Sequence, residues 1–234
     1  MNKNQMSQTI SLCMITKNEE KFLEQCINSV KEIVDEIIIV DTGSTDNTKN
    51  IAKKFNTKIF DFKWVDDFSA ARNESLKHAE KDWILVMDAD EIIEKNDLDK
   101  IKNSIENTND FVGFSLEQRS YINNFFEGAV KNNSDFELVK NYPFYIPHHL
   151  VRLFKNGLGL YFKHRVHELI DDSIIEKGLI YKKLDVVLHH FGSLKDENLI
   201  SNKTEQYSKI ILKQLEENPD SARYNYQAAR MHLG

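Results

Sequence analysis

The chain has 234 residues, 41% hydrophobic and 29% charged, with a formal net charge of −6. This is one medium domain, or one domain with the start of another, and the composition supports a sizeable core, which excludes wholesale disorder. The acidic balance argues against a whole-chain grip on nucleic acid, and no apolar run approaches the roughly 20 residues of a membrane span, so neither a nucleic-acid partner nor an integral membrane segment is expected.

Residues 1–8 are polar and lack the apolar stretch of a signal peptide. Residues 10–15 form a short apolar run of buried-strand length and include Cys13. Residues 20–34 place Phe22, Leu23, Cys26, Ile27, Val30, Ile33 and Val34 at helical spacing. Cys13 and Cys26 are the only cysteines; they read as buried, reduced thiols, and the expected compartment is the cytoplasm. A β-branched run at 37–40 predicts a second strand, and the polar turn at 41–46 offers caps for a helix carrying Ile51, Ala52 and Phe55. A third strand is expected at 58–62, a short helix capped by Ser69 through Ala79, and a fourth strand at 83–87. This βαβαβαβ order predicts an α/β fold built on a parallel, doubly wound sheet.

Beyond Asp88 the pattern changes. A helix is expected near 97–105 and a strand near 111–116. Residues 121–145 are long, polar and aromatic, which suggests a functional or mobile insertion. Short strand signals recur at 150–154, 160–162 and 184–188, so this half reads as mixed sheet and loops. From Lys195 the chain turns helical, with a break at Asn218-Pro219-Asp220. That ending resembles the first helix of a tetratricopeptide unit, and its stop at Gly234 without a closing partner suggests a piece of a longer protein. The expected division is residues 1–195 and a helical segment at 196–234.

Open α/β sheets bind ligands outside the carboxyl ends of their strands. Three polar clusters lie there: Thr16, Lys17, Asn18 and Glu19; residues 41–46; and Asp88, Ala89, Asp90 and Glu91. Two carboxylates on one turn after a buried strand suit a hard divalent cation, Mg²⁺ or Mn²⁺, which shares its shell with substrate phosphates. The alternative is a solvated turn or a helix cap. There is no GxxxxGK[ST] and no GxGxxG after the first strand, so a P-loop is excluded and a dinucleotide cradle is not expected.

Four runs carry a resemblance: residues 10–20, 36–48, 67–73 and 88–91. In order and spacing they are similar to family 2 glycosyltransferases with the GT-A fold. More narrowly, they resemble the bacterial branch often fused to tetratricopeptide repeats, which includes peptide and protein glycosyltransferases. The resemblance covers roughly residues 9–195 and implies a Rossmann-like, mostly parallel sheet with flanking helices, followed here by the C-terminal helical segment. It implies that Thr16, Asn18 and Glu19 line a nucleotide pocket, that Asp41 meets the uracil, and that Ser44, Arg72, Asp88 and Ala89 lie near the donor. It also implies that Asp90 holds the metal, with Asp88 facing the ribose or the metal. His190, in His190-Phe191-Gly192, would complete the metal shell, although His189 leaves the register open and His148, His149, His164 and His167 could also approach. Glu168, in Arg165-Val166-His167-Glu168, falls where the general base is placed. The Glu-Asp pair that holds the base in many members, and the Gln-x-x-Arg-Trp motif of processive ones, are both missing.

The implied activity is metal-dependent, inverting transfer of glucose or N-acetylglucosamine from a UDP-sugar to a protein, peptide or glycan. The aromatic insertion could flank the acceptor or simply pack on itself. Two rival readings are a sugar-nucleotide nucleotidyltransferase, which would want a basic, glycine-rich loop after the first strand, and a repeat scaffold with a degenerate transferase domain.

Overall fold

The computed structural model describes residues 7–108, 110–192 and 197–231, with residues 197–203, 230 and 231 described as backbone only. Parallel pairing joins β3 (Lys58–Asp61), β2 (Glu36–Asp41), β1 (Ile10–Thr16) and β4 (Trp83–Val86) in that order. The sheet then becomes mixed: β8 (Phe144–Lys155) runs antiparallel to β4 and β6 (Gly113–Ile122), and β9 (Tyr181–His190) runs parallel to β6. β5 (Glu91–Ile93) closes the edge antiparallel to β9, and the two-residue β7 (Val130–Lys131) pairs with β8. The expected α/β architecture, parallel first and mixed later, is the one observed.

Parallel strands are buried on both faces, so their side chains divide between two cores. Leu12, Met14, Ile39 and Leu85 join one core with Leu23, Cys26 and Ile27 of α1 (Leu23–Val30), Ile51 and Ala52 of α2 (Thr48–Lys53), and Leu98 and Ile101 of α4 (Lys95–Glu106). Cys13, Ile38, Ile84 and Val86 point the other way, toward Leu76 of α3 (Phe68–Lys77) and Ile174 of α5 (Asp171–Glu176).

Several boundaries differ from the sequence reading, each for a local reason. α1 is shorter than 20–34 because Phe22 and Leu23 both donate to the Glu19 carbonyl, and Ile33 turns back to Val30. Asp67, not Ser69, caps α3: its Oδ1 accepts from Ala70 N at 3.0 Å and from Ser69 Oγ at 2.6 Å. Residues 160–162 are not a strand. The Asn73 amide satisfies both backbone groups of Phe162, at 2.7 and 2.9 Å, which removes the need for a ladder. The ends of the insertion lengthen the β6–β8 ladder, where Tyr121 pairs opposite Tyr145, and the segment between them adds only the two-residue β7.

The C-terminal helices α6 (Glu197–Glu217) and α7 (Ala222–Met231) lie against the sheet domain. Ile210, Ile211 and Ala228 bury Val166, with Trp64, Phe68, Tyr207 and Leu215 around them.

Candidate active site

A cleft of about 760 Å³ opens where β1, β2 and β4 end. Thr16, Lys17, Asn18, Glu19, Arg72, Asp88, Ala89, Asp90, Glu168 and His190 all line it, so residues up to 174 positions apart in sequence meet in one place. Arg72 is at its centre. Its Nε donates to Glu168 Oε1 at 2.6 Å and its Nη2 to Asp88 Oδ1 at 2.7 Å, so one buried guanidinium bridges two carboxylates. Arg152 of β8 reaches the other Asp88 oxygen at 3.1 Å. Burial alone would raise the Asp88 pKa, but Arg72, Arg152 and His190 hold it well below the usual carboxylate range. Glu91 behaves oppositely: burial raises its pKa against the pull of Arg152. Its side chain accepts from Asp88 N at 2.7 Å and from Gln118, which fixes the turn after β4. Cys26 adds a third support, its thiol donating to the Asp88 carbonyl at 3.3 Å.

Asp90 and His190 form a second group. Asp90 Oδ1 lies 3.6 Å from His190 Nε2, and Ser120 Oγ holds the other ring nitrogen at 2.9 Å. A Cβ at Gly192 would stand 2.5 Å from His190 Nε2 and 3.1 Å from Asp90 Oδ2, so only glycine leaves that space open. His189 points away: it is fully buried between Tyr121 OH at 2.6 Å and Glu94 Oε1 at 2.9 Å. Among the described residues no three His, Cys, Asp or Glu side chains converge as a complete metal site. Asp88, expected to face ribose or metal, directs both oxygens to arginines. Asp90 and His190 thus bring one carboxylate and one imidazole to the cleft lining. A carboxylate and an imidazole are both donor types that divalent transition metals take, so the pair is chemically compatible with such an ion.

One side of the cleft is built by the loops after β1 and β2. Asn18 adopts φ 57°, donates its N–H to Ser44 Oγ at 2.9 Å and accepts from Thr45 N at 2.7 Å, so these two bonds tie the loops together. Asp41 is fully buried; its Oδ1 accepts from Ser44 N at 2.9 Å and Gly43 N at 3.1 Å, with Lys49 Nζ at 3.5 Å. Burial would raise its pKa, but these bonds and Lys49 lower it. Thr42, not Asp41 or Ser44, reaches the cleft lining.

Residues 11–177 match the family described as Glycosyl transferase family 2. The chain belongs to glycosyltransferase family 2. A TPR repeat-containing protein of Synechococcus elongatus is 35% identical over 71% of this chain and 36% of its own length. The SPbeta prophage-derived glycosyltransferase SunS of Bacillus subtilis is 28% identical over 96% of this chain and 50% of its own. This family 2 chain thus spans half or less of those relatives. Among solved structures, the Pyrobaculum calidifontis mannosyltransferase in complex with GDP-Man and Mn²⁺ superposes with a TM-score of 0.57. It is 14% identical over 97% of this chain and 70% of its own. Glucosyl-3-phosphoglycerate synthase from Mycobacterium tuberculosis, in complex with Mn²⁺, UDP and phosphoglyceric acid, gives 0.55 at 18% identity, over 89% and 78%. These likenesses show that the family 2 chain has the GT-A fold.

The rest of the cleft lining in this family 2 domain comes from later segments. Trp64, Phe68, Phe162, His148, His167 and Tyr207 line it, whereas no aromatic of the 121–145 insertion does. Tyr121, Phe136, Tyr142 and Tyr145 pack instead around Val139 and Phe191, which is the local-packing reading of that segment. His149 stands outside the lining near Lys183, and His164 is bonded to Asp172 at 2.7 Å. Sequence reading missed Arg152 and Gln118. The signal for Arg152 is a lone charge in the apolar run Leu150-Val151-Arg152-Leu153-Phe154.

Proposed function

We propose that this domain is a metal-dependent, inverting, non-processive glycosyltransferase. It moves a glucosyl or N-acetylglucosaminyl group from a UDP-sugar to a protein, peptide or glycan acceptor. The observation that carries the reading is the pairing of Asp90 with His190 at 3.6 Å, against Gly192, in the same cleft as the Arg72-held Glu168. Fold neighbours with Mn²⁺ and UDP or GDP-Man in their complexes support the donor class. The Synechococcus TPR relative supports a protein acceptor, because helical repeats bind extended peptides.

Asp90 and His190 would hold Mn²⁺, with Mg²⁺ the alternative. When bound, the ion supplies charge neutralisation for the diphosphate leaving group, worth several kcal/mol in such sites. Thr16, Asn18 and Glu19, with Asp41 and Ser44 behind them, shape the nucleotide pocket. Arg72 holds Glu168 and Asp88 in fixed relation, and Ala89 keeps the turn between Asp88 and Asp90 free of bulk. Glu168 takes the proton from the acceptor nucleophile as it attacks the anomeric carbon, and the nucleoside diphosphate leaves from the opposite face.

The test is hydrolysis and transfer with a panel of UDP-, GDP- and dTDP-sugars in Mn²⁺, Mg²⁺ or EDTA. Metal-dependent UDP release from one sugar, with nucleotide binding weakened in Asp90→Ala, is expected. Glu168→Gln should keep UDP affinity and lose about 10²–10⁴-fold in rate. Equal UDP affinity with and without metal in the unmodified protein would sink the Asp90 role.

A further inference from the structure

We propose that α6 and α7 belong to the catalytic apparatus, with Gln214 and Tyr224 acting as positioning residues that preset the loop bearing Glu168. The inference rests on the reading of Glu168 as the base. Residues 163–169 form a tight loop closed by a Lys163–Leu169 bridge, its two backbone bonds 3.0 and 3.1 Å long. Within it His164 and His167 both take positive φ, 71° and 54°. Two non-glycine residues in the left-handed region within four positions persist only where the surroundings over-determine the backbone.

Those surroundings are the C-terminal helices. Tyr224 OH lies 3.0 Å from His164 Nδ1. Gln214 Oε1 accepts from Arg165 N at 2.8 Å, and Glu217 holds the Arg165 guanidinium at 2.9 Å. Val166 is buried against Ile210, Ile211 and Ala228. Arg223 donates to the His167 carbonyl at 2.7 Å. Every residue from 164 to 167 is thus gripped by α6 or α7, and Glu168 follows directly, meeting Arg72 on the other side. Gln214 is itself 2% exposed, so its carbonyl is committed to this one backbone N–H and not to solvent. The same loop ties to α3, because Phe68 N donates to the Arg165 carbonyl at 2.9 Å. A shift of the helices would therefore move the base against the nucleotide pocket, and errors near 1 Å in such placement cost up to about 10²-fold in rate.

The experiment uses the full chain carrying Gln214→Leu with Tyr224→Phe, and separately Gln214→Glu, which keeps the accepting oxygen. Three quantities are read: hydrogen exchange across residues 163–169, UDP affinity with Mn²⁺, and kcat and KM for UDP-sugar hydrolysis. The double variant should speed exchange at the Arg165 and Leu169 amides and lower kcat about tenfold or more, with KM and UDP affinity held within about twofold. Gln214→Glu should restore protection and most of the rate. Unchanged exchange, or unchanged kcat where Glu168→Gln is slow, overturns the proposal. Loss of UDP affinity in parallel with kcat overturns it too, because that is general loosening. Glu168→Gln at full rate, or no turnover of any sugar nucleotide by the unmodified protein, removes the base reading instead, and loop exchange then decides whether the helices set the loop.

Discussion

At Gly192 the chain needs empty space more than flexibility. A methyl group there would collide with the His190 ring 2.5 Å away and force it off the line to Asp90. Gly192→Ala should therefore lower Mn²⁺-supported UDP affinity about tenfold or more while leaving the thermal midpoint near its original value. Calorimetric titration of UDP at fixed Mn²⁺ measures it. The His190-Phe191-Gly192 segment was reached through a family resemblance with the register left open, and in the structure it is the His190 ring that faces Asp90 while His189 is bonded to Glu94. The partnership of Arg72 with both Asp88 and Glu168 was not legible. It joins α3, the end of β4 and a loop 96 residues from Arg72, and no local pattern encodes contacts at that separation.

At the scale of elements, α3 carries Arg72 into the cleft and depends on its first turn. Asp67 caps that turn through Ala70 N. Removing the carboxylate in Asp67→Ala should cost about 1 kcal/mol, a fall of about 2–4 °C in the melting midpoint for a chain of this size. Differential scanning calorimetry checks it, and a change under about 0.5 °C would remove the cap from the account. The long apolar strands and the amphipathic helices were readable from periodicity. The three-residue β5 and the irregular 160–162 segment were not: β5 is too short to show a period, and a side-chain amide at Asn73 outcompetes strand pairing at Phe162. The helical ending was readable as helices, but its packing on Val166 was not, because docking depends on a face opposite it that sequence does not display.

For the whole molecule, acid stability depends on carboxylates that the fold keeps ionised. Glu36 on β2 is nearly buried, and burial alone would raise its pKa. Lys58 on β3 at 2.6 Å, Ser11 Oγ on β1 at 2.6 Å and the Glu80 N–H at 3.0 Å together lower it instead. A carboxylate with a depressed folded-state pKa contributes fully above its unfolded value and loses that contribution as pH falls through the folded one. Glu36→Gln should lower the melting midpoint by about 5 °C at pH 7 and by progressively less as pH falls below the ordinary carboxylate range and through the lowered folded-state pKa. Circular dichroism melts across that range measure it, and equal losses at every pH would assign the effect to packing.

Arg72 also bears on redesign. Its planar fork sets the spacing between a carboxylate at the end of the parallel sheet and one on the 163–169 loop, a spacing that a lysine, bonding as a point charge, would not fix. The two banks of the cleft are consequently not interchangeable parts. Any replacement of the 163–169 loop must bring a carboxylate in register with Arg72, or leave its buried Nε without the partner it now has. Removing one partner of a buried pair in this way destabilises by about 3–5 kcal/mol.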